Sequence, residues 1–318
     1  MNGKTLWTAL LLLPLVLVGA ALFADLHKLQ AAVLHFPFGL LLPACALVLG
    51  NYTLRAIRFR RYLHALGILV TPFEAWLVFV SGFLLTVTPG KMGEIFKGFL
   101  LNQRRGTPIP EVASSVVAER FTDVVGLLAI AAIGVAQYGA HTALFLAVLG
   151  LCLGFLLAIA HPRLLPWALD LLATRVEGHP RLAQIVVMGR RVHGVLKILC
   201  APRLLLEGVT LAALAWLLEA IAFRLLLNGV DATGGLGPAI VVYAMATLFG
   251  AVSMLPGGVG STEAVMVALL LTPAMGLSLA KPEATLATLL IRFCTLWFGV
   301  ASGAIALFVL RRTPVKGP

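Results

Sequence analysis

Glu119, Arg120 and Asp123 occupy a single helical turn of the apolar stretch AERFTDVVGLL, Ala118 to Leu128. Glu119 and Asp123 are one turn apart on the same face, and Arg120 lies three residues before Asp123. The chain around them is 60% hydrophobic and 12% charged. At the centre of a membrane helix an ionised side chain costs about 2.5–3.5 kcal/mol, so three in one turn must face the interior. Two chemistries fit: a self-contained ion-pair cluster near the cytoplasmic surface, or gating and head-group contact. Arg292, in LLIRFCTLWFG, has no acidic residue within one turn. Its partner is expected from another helix or from a ligand, with Glu94 and Glu119 as the candidate carboxylates. Its planar fork suits a phosphate or carboxylate.

Two further stretches break the apolar pattern with the same letters: TVTPGKMGEIFKG, Thr86 to Gly98, and SMLPGGVGSTEAV, Ser253 to Val265. A proline-glycine break inside a membrane starts a new helix whose first N–H groups lack partners. Those groups and the positive end of the helix dipole favour an anion. Gly90, Gly93, Gly257, Gly258 and Gly260 would let either a head group or a neighbouring helix approach the backbone. Glu94 and Glu263 fall in the first turns of the returning helices. Each is either a dipole-neutralising cap, GSTE forming a capping box with Gly260, or a carboxylate that exchanges a proton or pairs with an arginine. Lys91 and Lys97 are placed at the cytoplasmic mouth. Glu219 and Arg224 are five apart, so each is expected to meet another element.

Runs of about 20 apolar residues, the length that crosses hydrocarbon, recur along the 318 residues. The chain is therefore an all-α polytopic membrane protein. The net charge of +11 would suggest nucleic acid only if it were concentrated in a soluble module, and there is none. Cys45, Cys152, Cys200 and Cys294 stand singly, and the seven histidines form no metal-binding pattern, so no metal, cofactor or enzyme chemistry is expected.

The spans read as Leu6–Phe23, Phe36–Leu54, Val112–Gln137, Thr142–Ala160, Leu204–Leu227 and Ala284–Leu310. The first is longer than a signal-peptide core of about 7–15 residues and is read as a retained helix. With the N-terminus in the cytoplasm, seventeen of 24 basic residues fall inside and only Lys28 and Lys281 outside. Both termini are then cytoplasmic. The count works only if Phe73–Asn102 enters and leaves from the cytoplasm while Pro238–Thr272 does so from outside. The expected architecture is about six transmembrane helices plus two re-entrant hairpins of opposite orientation. It forms a single membrane domain, with a first repeat over 36–138 and an inverted second over 204–312. Residues 161–203 form a basic, amphipathic cytoplasmic connection suited to anionic lipid.

TPGKMGEIFKGFLL, ERFTDVVGLLA, LPGGVGSTEAV and IRFCTLWFGVASG, in this order, resemble the flippase-like family typified by the transmembrane part of lysylphosphatidylglycerol synthases. The resemblance covers most of the chain. It implies an inverted-repeat bundle with two re-entrant hairpins that moves a lipid across the bilayer. It draws attention to Glu94, Glu119, Arg120, Asp123, Glu263 and Arg292. Bifunctional members continue into a soluble aminoacyl-transfer domain. This sequence reaches Pro318 six residues past Arg312, so synthase activity is not expected. The expected cargo is an anionic or phosphate-bearing membrane lipid, in the cell inner membrane. A membrane-embedded lipid transferase, or a non-transporting partner of a lipid-synthesis enzyme, is the alternative class, and a homo-oligomer fits either.

Overall fold

The computed structural model describes residues 26–88, 92–138, 180–253 and 255–315, with isolated positions at 150, 154, 167, 170 and 171. The spans read at Leu6–Phe23 and, apart from two isolated positions, Thr142–Ala160 lie outside the described residues. Within them the regular structure is entirely helical, with no strand.

The helices are α1 (Leu26–His35), α2 (Leu41–Ala65), α3 (Pro72–Ser81, continued by a 3₁₀ turn, Gly82–Leu85), α4 (Met92–Arg105) and α5 (Ile109–Tyr138). They continue with α6 (Pro180–Leu199), α7 (Pro202–Asn228), α8 (Leu236–Val252), α9 (Ser261–Leu270) and α10 (Lys281–Arg312). Among the described residues, three helical segments are long and apolar enough to cross a membrane: Phe38–Ala65, Pro202–Asn228 and Lys281–Arg312. The 30 residues of α5 span about 45 Å at 1.5 Å per residue, with Glu119, Arg120 and Asp123 near its middle.

Local chemistry fixes the boundaries. Thr71 caps α3, its hydroxyl accepting the Glu74 N–H at 3.2 Å, and Pro72 sits at the first helical position where its missing N–H costs nothing. Pro202 starts α7 in the same way. α10 carries a π turn at Phe293–Trp297, directly after Arg292. The extra residue of a π turn disturbs the hydrogen-bond ladder, and Tyr52 on α2 donates its hydroxyl proton to the Thr295 carbonyl there, at 2.7 Å.

One sequence expectation is corrected. The second span was expected to stop at Leu54, before the basic run RAIRFRR, but α2 continues through it to Ala65. Asn51, Arg55, Arg58 and Tyr62 recur at helical spacing on one buried face. Arg55 and Arg58 are 6% and 0% exposed, so they belong to the bundle interior and not to the cytoplasmic charge count.

α7 is central and packs against α2, α5, α8 and α10. Asn51 ties α2 to it by donating to the Ala215 carbonyl at 2.8 Å. α3 and its 3₁₀ turn lie along the second half of α10. Gly303 permits that approach, because a Cβ there would sit 2.6 Å from the Leu84 nitrogen and 3.0 Å from the Val80 oxygen. Both are backbone atoms that cannot rotate away. Gly303→Val is therefore expected to cost about 1–3 kcal/mol, as overpacking does. A thermal unfolding curve for the purified variant checks this; a wild-type midpoint would mean that α3 can slide away from α10.

The two interrupted segments have their ends tied at opposite ends of α10. At its C-terminus, Glu74 at the start of α3 accepts from Arg104 and Arg105 at the end of α4. Arg104 also donates to the carbonyls of Leu310 (3.0 Å) and Thr313 (3.1 Å). At the other end of the bundle, Thr233, before α8, donates through its N–H to Leu277 O and through its hydroxyl to Gly276 O, beyond α9. That end holds the start of α10 at Lys281 and, around Gly229, the contact with Phe36 and Leu40 before α2. α6 closes over the first end, burying Val195, Leu196 and Leu199 against Tyr62 and Ala118.

Candidate functional site

A cavity of about 220 Å³ lies where the two interrupted segments meet. Gly82, Thr86, Gly93, Glu94, Lys97, Glu119 and Arg120 line it from the first half of the chain. Gly257, Gly258, Arg292 and Thr295 line it from the second, and Trp216, Glu219 and Tyr243 contribute from α7 and α8.

The second break is a turn that only glycine makes easily. Pro256 opens it, and Gly257, Gly258 and Gly260 have φ of 61°, 64° and 89°, in the left-handed region. α9 then begins at Ser261. Glu263 both caps the turn and pairs with an arginine. Oε2 accepts the Gly260 N–H at 2.7 Å, and Oε1 accepts from Arg292 Nε at 2.6 Å. Gly260 has no side chain to return the bond, so this is half of a capping box. Arg292 also donates from Nη2 to the Gly257 carbonyl at 2.6 Å. The guanidinium fork thus clasps the turn by its backbone and its cap together.

The first break is described up to Thr88 and from Met92 onward; Gly90 and Lys91 lie outside the described residues. Gly93 presses on the Gly82 carbonyl so closely that any side chain would overlap it, which is the packing role. Val87 reaches across to the other break, where it packs with Val259 and Leu296.

An ion network runs from the cavity wall, where Arg120 and Glu94 are partly exposed, into the buried interior of the bundle. Asp123 is 3% exposed. It accepts from Arg58 Nη2 at 2.7 Å, Arg55 Nη2 at 3.2 Å and Trp216 Nε1 at 3.3 Å. Arg120 reaches Asp123 at 3.6 Å and Glu94 at 2.5 Å. Arg55 also lies over the Trp216 ring, 5.0 Å from its centroid. Lys97 pairs with Glu119 at 2.8 Å and stands 4.8 Å from the ring centroids of both Phe59 and Phe79. Each of these charges has a counter-ion, which buried ions need. Glu119 Oε1, however, is buried with no hydrogen-bond partner among the described residues.

The structure brings Arg120, Arg292, Gly93, Gly257, Gly258, Glu94 and Glu119 to one cavity, with Asp123 and Glu263 one bond behind it. Gly260 does not line it. Two expectations are corrected. Arg292 pairs with Glu263, from its own half of the chain, rather than with Glu94 or Glu119, which are held by Arg120 and Lys97. Lys97 does not stand at a cytoplasmic mouth, since it is 4% exposed beneath two aromatic rings. Arg55, Arg58, Trp216, Tyr52 and Tyr243 were not foreseen. Asn51, Arg55 and Arg58 did carry a signal, the i, i+4, i+7 spacing of one helix face.

The family model of the lysylphosphatidylglycerol synthase TM region matches residues 6–303, nearly the whole chain. The chain belongs to that family. No curated protein matches it. This member of the synthase transmembrane-region family is a multi-pass membrane protein, and the four motifs quoted above all fall within the matched residues.

Proposed function

We propose that this chain is a lipid flippase, moving a lipid with an anionic or phosphate-bearing head group between leaflets. The observation that carries the reading is the cavity itself. Each half of the chain brings a broken helix and a guanidinium with its own carboxylate to it, Arg120 held by Glu94 and Arg292 held by Glu263, and Arg55 adds a third guanidinium to the lining. Non-helical backbone at membrane depth is tolerated where it borders such a cavity, and the donors there suit phosphate oxygens. The apolar lining offered by Phe79, Phe83 and Leu296 would accompany the first carbons of a lipid.

The architecture that goes with this function is one membrane domain of two inverted repeats, 36–138 and 204–312. Residues 73–102 and 238–272 act as re-entrant hairpins from opposite sides, and residues 161–203 form the cytoplasmic connection. The hydrogen bonds that close each hairpin at opposite ends of α10 support it. Both termini are then cytoplasmic, in the inner membrane. In intact cells, cysteines placed at Gln30, Tyr138 and Ala280 should label from outside and one at Arg104 should not. Labelling of Arg104 and Ala280 from the same side would end the inverted reading.

The functional test uses purified protein in phosphatidylcholine liposomes carrying fluorescent phosphatidylglycerol, with a membrane-impermeant quencher reporting leaflet transfer. Transfer well above that of protein-free liposomes is expected. A well-folded protein that leaves the probe at the protein-free rate would contradict the proposal.

A further inference from the structure

Glu219 lies on α7, is 3% exposed and borders the central cavity. The other buried carboxylates among the described residues each hold a cation: Glu74 with Arg104 and Arg105, Glu119 with Lys97, Asp123 with Arg55 and Arg58. Glu219 has no ion pair among the described residues. Its partner is the phenol of Tyr243, which donates to Oε2. The charged and titratable groups that face it are Tyr52 and Arg55 on α2, Asp123 on α5, Tyr243 on α8 and Arg292 on α10. Both arginines are already engaged, Arg55 by Asp123 and Arg292 by Glu263.

In such surroundings an ionised carboxylate lacks the direct countercharge that burial demands, whereas a neutral carboxyl needs only hydrogen bonds. One oxygen is served by Tyr243, and the group as a whole lies at the cavity wall. We propose that Glu219, oriented by Tyr243, is a proton-binding site linked to anion binding in the cavity, so that an anionic head group and a proton occupy the chain together. This rests on the translocation reading above. The ionised carboxylate and an incoming anion draw on the same nearby positive charge, that of Arg55 and Arg292, which both line the cavity. Protonation removes this competition. One O–H bond forms with a proton taken from cavity water and breaks to return it, and no group changes oxidation state. Linkage is reciprocal: anion binding must then strengthen proton binding by the same factor.

The test has two arms. Infrared titration of the protein in phosphatidylcholine nanodiscs should show a protonated-carboxyl C=O band that is absent from Glu219→Gln. With phosphatidylglycerol its midpoint should rise by about one pH unit, a tenfold linkage, and Arg292→Ala should shrink that rise. A shift of undiminished size in Arg292→Ala reflects membrane surface potential and overturns the proposal, as does a band unchanged in Glu219→Gln. Should Glu219→Gln fail to fold, Tyr243→Phe must still move the midpoint; an unmoved midpoint also overturns it. In liposomes, an acid-outside gradient should accelerate inward transfer of fluorescent phosphatidylglycerol in wild type, and the ratio with and without the gradient should fall to one in Glu219→Gln. A wild-type protein that transfers lipid with a ratio of one overturns the proton site and leaves translocation standing. One that transfers nothing, while the infrared linkage holds, overturns translocation and leaves the proton site.

Discussion

Asp123→Ala is expected to be the most destabilising single substitution in the buried network, at about 3–5 kcal/mol. The carboxylate is shared by Arg55 and Arg58, both buried, and it takes the indole N–H of Trp216 as well. Its removal leaves two guanidinium groups inside the bundle with no carboxylate between them, and truncating one partner of a buried pair is far more costly than replacing the whole pair. The loss spreads through the fold, because Arg58 and Arg55 stand on α2, Trp216 on α7 and Asp123 on α5. Asp123→Asn keeps the shape and an acceptor oxygen but not the charge, and should fall between. Thermal unfolding in one detergent, with expression level alongside, measures the series. A midpoint for Asp123→Ala within about 2 °C of wild type, less than roughly 1 kcal/mol, would mean that water or lipid compensates the arginines.

The second large effect is on transport. Arg292 makes two bonds with separate nitrogens, to Glu263 and to the Gly257 carbonyl. Lysine offers a single point charge that cannot reproduce that fork. Each hydrogen bond to a charged group is worth about 1.5–3 kcal/mol, so Arg292→Lys should lose at least about tenfold in leaflet transfer while still folding. Arg292→Ala should lose more. Glu263 is the partner, so Arg292→Ala combined with Glu263→Gln should be no worse than the worse single variant, whereas combination with Glu119→Gln should be additive. Wild-type transfer by a folded Arg292→Ala protein would make the arginine a structural clasp of the turn and nothing more.

How far the sequence could be read follows from which interactions are local. The apolar runs at Leu204–Leu227 and Ala284–Leu310 became α7 and α10 with shifts of a few residues, because hydropathy and length decide that a helix spans. The left-handed glycines at 257, 258 and 260 were legible as a break because a proline and three glycines in five residues cannot continue a helix. Partner choice was not legible. The i, i+3 pair of Arg120 and Asp123 exists at 3.6 Å, yet the shorter bond goes to Glu94 on α4, which only the packing of α4 on α5 determines. Arg55 and Arg58 misled for a related reason. A positive-inside count assigns arginines at the end of an apolar run to the surface, and it cannot see a distant aspartate that draws them inward. The π turn after Arg292 left no mark in the periodicity, since one extra residue shifts the pattern by less than the width of an apolar face.

The central claim is that the cavity between the two broken helices receives an anionic head group. Photolabelling with a phosphatidylglycerol analogue that carries its reactive group on the head tests it most directly. After irradiation in liposomes and mapping of the labelled peptides, label is expected around Gly93–Lys97, Gly257–Thr262 and Arg292–Leu296, and unlabelled phosphatidylglycerol should compete it away. Label confined to outward-facing positions such as Leu42, Leu206 and Ile305, with none in those three stretches, would contradict the account.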